Sequence, residues 1–194
     1  MVDLRQHSML TGRRSQRPRS KAAGRADKHY WRVAMSEQML REQLYEAFRH
    51  RAILYYLIYD EIRREVGAER AEDILSRAIY RRGVERGQQR YAKFAPRDLI
   101  GLKEAFLGNL ADRGRLFQPE VLTSTNEELD IKFHACPLRE AWQEYGLPPE
   151  EVALMCRIAS RIDDGTFEGA GFRFWADTWQ PGGEGCCCLH IRPK

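Results

Sequence analysis

Long apolar runs are missing from this chain. No stretch approaches the roughly 20 consecutive apolar residues that span a bilayer, and the amino terminus lacks the apolar core of a secretory signal. Cysteine is sparse and poorly spaced for a covalent scaffold. The five present are an odd number, with Cys186, Cys187 and Cys188 adjacent, and neighbours on a strand face opposite ways and could bond only with strain. A disulfide framework is therefore not expected, and a reducing cytoplasm is the expected compartment. Also absent are the Cys-x-x-Cys pair of zinc ribbons and the GxSxG, P-loop, GxGxxG and HExxH motifs, which removes the most recognisable hydrolase, nucleotide and metalloprotease chemistries.

What is present divides by charge. The whole chain is formally +4, yet residues 1–35 hold nine Arg or Lys against Asp3 and Asp27, which leaves the remainder at −3. The basic balance belongs to a tail expected to be disordered, and contact with nucleic acid is expected only through it. At 194 residues the chain suits one well-buried core. The division is a basic tail over residues 1–35 and one domain over residues 36–194.

The domain opens with helical periodicity. Ser36 is a candidate N-cap for a helix over 36–66, with Leu40, Leu44, Phe48, Tyr55, Ile58 and Ile62 at helical spacing and Gly67 as its stop. Residues 53–59 are apolar nearly all round, which predicts cover on more than one side or a homodimer face. A second helix is expected over 71–94. Its Gly83 and Gly87 lie four apart on one face, where close packing by another backbone repays their low helix propensity. A third follows Pro96 and stops at Gly114.

The period then changes to two. Residues 120–125 and 128–136 alternate around Asn126-Glu127 and read as a hairpin, which puts His134 and Cys136 on one strand face. Pro137 starts a short helix that ends at Gly146. Another begins at Pro148-Pro149, carries Cys156 on an apolar face, and gives way to a loop marked by Gly165, Gly169 and Gly171. Residues 172–179 form a strand that Pro181-Gly182-Gly183-Glu184-Gly185 turns back into a cysteine strand. Alternation there sends Cys187 inward with Leu189 and Ile191, and Cys186 and Cys188 to the other side. The fold class is α+β: a helical amino-terminal half packed on a small antiparallel sheet of about four strands.

Cys136 carries the clearest chemical signal. A thiol at a helix amino terminus meets free N–H groups and the positive end of the dipole, which favour thiolate. His134 nearby adds an acid/base. The plain alternative is an inert buried cysteine beside an exposed histidine. Asp163 and Asp164 are candidate general bases, against a solvated helix end. Adjacent thiols diverge on a strand, so Cys186–Cys188 alone make a poor zinc site. A composite site from Cys136, Cys156 and Cys187 with His134 or His190 would suit zinc, although no cofactor is expected. Trp175 either packs the core or walls a pocket.

Phe133-His134-Ala135-Cys136-Pro137-Leu138-Arg139-Glu140-Ala141-Trp142, then Gly146-Leu147-Pro148, Cys156 and the terminal strand with Cys187 resemble the L-2-amino-thiazoline-4-carboxylic acid hydrolase family. The resemblance runs from about Glu37 to Ile191 and is strongest after Phe133. It implies hydrolytic opening of a small cyclic amidine or thiazoline-like ring, with Cys136 and Cys187 at the site. Cys136 or Cys187 would attack, and His134, Asp163 or Asp164 would activate water. Cys156, Trp175 and a cation such as Arg139, Arg157 or Arg161 would hold the small-molecule substrate. Family members often carry an acidic residue beside the middle and last cysteines; here those places hold Arg157-Ile158-Ala159 and Cys188. Two rival readings stand: a small-molecule- or metal-binding sensory domain without turnover, similar to vinyl-reductase-type ligand-binding domains, and a helical dimerisation module.

Overall fold

The computed structural model describes residues 37–194, so the expected basic tail and the Ser36 cap lie outside the described residues. In order, the chain forms α1 (Glu37–Val66), α2 (Ala68–Arg90), a 3₁₀ turn, α3 (Leu99–Gly108), a second 3₁₀ turn, and the strands β1 (Pro119–Ser124) and β2 (Leu129–Phe133). There follow α4 (Pro137–Glu144), α5 (Pro149–Ala170), β3 (Arg173–Asp177) and β4 (Cys188–Arg192). Five helices, mostly amino-terminal, sit with one antiparallel sheet of order β1-β2-β4-β3, and the fold is α+β as the periodicity predicts.

The local signals explain most of these boundaries. Gly67, at φ 85, separates α1 from α2 in a conformation that side-chain-bearing residues rarely adopt. The Asp98 carboxylate accepts from the Gly101 amide at 2.8 Å and caps α3. In the hairpin, Thr125 Oγ1 accepts from the amides of Glu127 (3.1 Å) and Glu128 (2.9 Å), so the turn falls at Asn126-Glu127. Pro137 takes the first position of α4 with Cys136 as its N-cap residue.

The sheet buries one face. Leu129, Ile131 and Phe133 of β2 and Leu189 and Ile191 of β4 are buried against Leu99, Leu102 and Phe106 of α3 and Phe167 of α5. Between them, Asp130, Lys132, Cys188, His190 and Arg192 point the other way, the alternation expected of a half-buried antiparallel sheet. A second apolar cluster joins α1, α2, α4 and α5 around Tyr59, Leu75, Ile79, Trp142, Met155 and Ile158. Trp142 Nε1–H donates to the Ala52 carbonyl at 2.7 Å and ties α4 to α1. Among the described residues the apolar stretch 53–59 is covered on one side, with Leu54, Leu57 and Ile58 exposed.

Three expectations fail, each for a tertiary reason. Gly165 and Gly169 are not in a loop: α5 runs through both and ends at Gly171, which adopts φ 101. They are where α5 crosses Gly83 and Gly87 of α2. A Cβ on Gly165 would strike the Tyr80 carbonyl, one on Gly87 the Thr166 carbonyl, and one on Gly169 would come within 2.8 Å of Val84 Cα. The glycines bring two backbones together, and Asp163 and Asp164 are therefore helical.

Second, β2 stops at Phe133, so His134 and Cys136 share no strand face; the chain bends there so that the amides of His134 and Ala135 reach the carbonyls of Gln118 and Phe117. Third, β4 starts only at Cys188. Cys186 and Cys187 belong to the approach, where the Cys186 amide donates to the Phe133 carbonyl at 2.8 Å and the Cys187 carbonyl accepts from the Phe133 amide at 2.9 Å. Strand alternation does not apply to them, and both thiols turn inward.

Candidate functional site

A cavity of about 520 Å³ lies where the two apolar clusters meet, drawing Phe106, Phe133 and Cys186 from one and Trp142 and Cys156 from the other. Its wall carries sulfur from three segments: Cys136 at the head of α4, Cys156 on α5, and Cys186 and Cys187 ahead of β4. Cys156 and Cys186 are buried, while Cys136 and Cys187 are half-buried. All five cysteines are free.

The thiols form a file: Cys136 adjoins Cys186, and Cys186 Sγ lies 3.7 Å from Cys187 Sγ. The file sets their acidity against the expectation for Cys136. Its hydrogen bond to Cys186 raises the pKa well above the ordinary thiol value, and burial and the Cys186 charge add to this. The amides of Arg139 and Leu138, at the start of α4, pull it down but lose. For Cys186 the bond to Cys136 lowers the pKa, but the bond to Cys187 and burial outweigh it, and the thiol is pushed up to about 12. Burial raises Cys156. The helix terminus expected to sharpen Cys136 is present, and a neighbouring sulfur cancels it.

Asp163 lines the same cavity. Burial pushes its pKa up to about 7; Arg86 opposes the shift and Asp164 adds to it. A carboxyl titrating near neutrality is suited to move protons there. Asp164 is off the wall and pairs with Arg161 at 3.0 Å. His134 is exposed, with Nε2 2.7 Å from Glu120, and does not line the cavity.

Arg139 also stays off the wall. Its guanidinium donates to the Gly185 carbonyl and lies 5.9 Å from the centroid of Trp179. Trp175 stands on the outer sheet face, stacked on His190 at 5.0 Å. Of the expected site residues, then, Cys136, Cys156, Cys187 and Asp163 meet at the cavity, and His134, Asp164, Arg139 and Trp175 do not. Among the described residues no group of three His, Cys, Asp or Glu is disposed to hold a metal ion.

The sequence reading missed Cys186, hidden by a strand register that starts later than expected. It also missed the arginines of the wall, Arg51, Arg82, Arg86 and Arg90. Arg157 pairs with Glu72 at 3.6 Å instead, and Arg161 with Asp164. The four-residue spacing of Arg82, Arg86 and Arg90 was a signal that could have found three of them.

The family model for L-2-amino-thiazoline-4-carboxylic acid hydrolase matches residues 45–191, which span α1 to β4 and every cavity thiol. The chain belongs to that family. Among solved structures it is similar to the phenol-responsive sensory domain of the transcription activator PoxR, determined with phenol, at 15% identity, 73% coverage of each chain and a TM-score of 0.45. No curated protein matches by sequence. Within this hydrolase family member the matched segment includes Cys136, Cys156, Asp163, Cys186 and Cys187, so the family match and the cavity coincide. Among the described residues no helix is long and apolar enough to cross a membrane.

Proposed function

We propose that this member of the thiazoline hydrolase family binds a small cyclic amidine in the cavity and opens its ring with water, with Cys187 as nucleophile and Asp163 as the group that moves the proton. The observation that carries the reading is one cavity holding four thiols and the carboxyl of Asp163. Within the file, Cys136 and Cys186 hold their protons against ionisation, and the half-buried Cys187 stands at its end, where Cys186 S–H can donate to a thiolate.

In this scheme the Cys187 thiolate adds to C2, the carbon between ring nitrogen and ring sulfur. The C2–S bond breaks with its electron pair on sulfur, which takes a proton from solvent water and leaves as a thiol; the proton that Asp163 takes in the second half returns to solvent. The enzyme then holds an S-linked isothiourea. Asp163, as carboxylate, takes a proton from water as the oxygen adds to the same carbon, and the Cys187 thiolate departs with its electron pair. For the thiazoline acid the net reaction is addition of one water to give N-carbamoyl-cysteine. Splitting one addition into two is what covalent catalysis contributes. The test is incubation with 2-amino-thiazoline-4-carboxylate and quantification of N-carbamoyl-cysteine by mass spectrometry. Turnover that disappears in Cys187→Ser supports the scheme, and full turnover in that variant overturns the nucleophile.

The raised pKa of both Cys136 and Cys186 favours a second reading, a binding pocket without turnover. Saturable binding of the thiazoline acid with no product over long incubation distinguishes it. A homo-oligomer formed through the exposed face of α1 is a further proposal; sedimentation of the purified protein tests it.

A further inference from the structure

The charge on the cavity wall is one-sided. Arg51 of α1 and Arg82, Arg86 and Arg90 of α2 line it, and Asp163 is the one carboxyl facing them among the described residues. Arg82, Arg86 and Arg90 follow one another at four-residue intervals along a single ridge of α2, an arrangement of like charges that disfavours the helix. Other arginines of α1 and α2 relieve such repulsion: Arg63 pairs with Asp60 and Glu151, and Arg70 and Arg77 with Asp73. On the cavity wall only Arg82 does so, with Glu85 at 2.9 Å. Arg51 lies over the Phe48 ring at 4.4 Å and Arg86 near the Tyr91 ring at 5.9 Å; no described carboxylate is within ion-pair distance of either or of Arg90, and Arg86 acts on Asp163 only through its field.

Exposure orders the site. Arg51, Arg82 and Arg90 are exposed, Arg86 is half-buried, and Cys156 and Cys186 are buried, which puts cations at the mouth and sulfur at the floor. Between them run the rings of Phe48, Phe117 and Phe133, in contact with centroids 5.6 Å and 5.5 Å apart, together with Phe106 and Trp142. A volume of about 520 Å³ falls in the range that holds drug-sized ligands, well beyond one five-membered ring acid.

We propose that Arg86 and Arg90, with Arg51, capture the carboxylate of a substrate whose broad apolar, aryl-sized body lies along the phenylalanine wall, so that the preferred ring acid is larger than the bare thiazoline. This deepens the hydrolytic reading and rests on it for the reacting end of the molecule. The anionic end is held by charge-assisted hydrogen bonds at a mouth where a single sign of charge also raises the local concentration of anions. Arg139, Arg157 and Arg161 have no part in it, because none of them lines the cavity.

The test uses the full chain and two probes of one shape, naphthalene-2-carboxylate and the neutral naphthalene-2-carboxamide, in isothermal titration calorimetry. The carboxylate is expected to bind at least about tenfold more tightly, the worth of a hydrogen bond to a charged group. The preference should shrink from about 0.01 M to about 0.15 M salt as the screening length falls from about 30 Å to about 8 Å. The Arg86→Gln/Arg90→Gln variant should lose the preference and keep the amide affinity. Arg90→Gln, at an exposed position, gives a second variant should the double one fold poorly. Equal binding of the two probes, or binding of neither, overturns the proposal. Selective carboxylate binding with no hydrolysis of either the bare thiazoline acid or an aryl-extended thiazoline acid removes the hydrolytic reading and leaves the capture site standing. Turnover without charge preference does the reverse.

Discussion

Asp163 concentrates the residue-scale chemistry. Its carboxyl is raised by burial to about 7, so from about pH 4 to pH 7 the folded state binds a proton that the unfolded chain has released. This contribution to stability is whole below pH 4, falls as pH rises through that window, and levels off above 7. Asp163→Asn should remove that slope, so its melting temperature gains on the wild type as pH rises from 4 to 8, which differential scanning calorimetry at several pH values can read. If the proposed role holds, turnover climbs with the opposite sign, following ionisation with a midpoint near 7, and the Asn variant loses the step. The cysteines make a second prediction. Iodoacetamide at graded pH should label Cys187 before Cys136 or Cys156, since both of those are raised by burial and one also by its bond to Cys186. Peptide mapping checks the order, and prior labelling of Cys136 would overturn the assignment of Cys187.

At the scale of elements, the α2–α5 crossing governs the site. It places Asp163, Cys156 and the α2 arginines on one cavity, and it exists because Gly83, Gly87, Gly165 and Gly169 leave no Cβ between the backbones. Gly87→Ala should destabilise the protein by about 1–3 kcal/mol or more from overpacking, even though alanine is the better helix former. Gly108, at the end of α3 with open space around it, is the control. Gly108→Ala should be neutral or stabilising by up to about 1 kcal/mol. Urea titration of both variants measures the difference. The Gly83/Gly87 pair announced a close approach within its own helix, yet Gly165 and Gly169 read as a loop. A glycine for a turn and a glycine for a crossing look alike until the partner helix is in view. Caps and stops were more legible: the Asn126-Glu127 turn and the α4 start at Pro137 follow from residues within a few positions of each boundary.

For the whole molecule, the cavity is the seam between the sheet-side cluster and the α1-side cluster. A ligand that fills it touches both, so it should raise the stability of the domain as one cooperative unit. At a ligand concentration near 100 times Kd the gain is about 2.7 kcal/mol. Calorimetry should show a single transition moving upward; a ligand that splits the transition would mean the clusters unfold separately.

Much of this was present in the order of residues. Periodicity, caps and the change from a helical to a two-residue repeat determined an α+β chain, and the context of Cys136, Cys156 and Cys187 marked the segment where the sulfur gathers, because these signals act over a few residues. The tertiary structure alone decided which side chains meet. It set Cys186 against Cys136 and so reversed the expected acidity, left His134 and Trp175 outside, and brought the α2 arginines to the mouth. Charge, burial and hydrogen bonding depend on neighbours distant in sequence, and here those neighbours are set by one glycine-lined helix crossing.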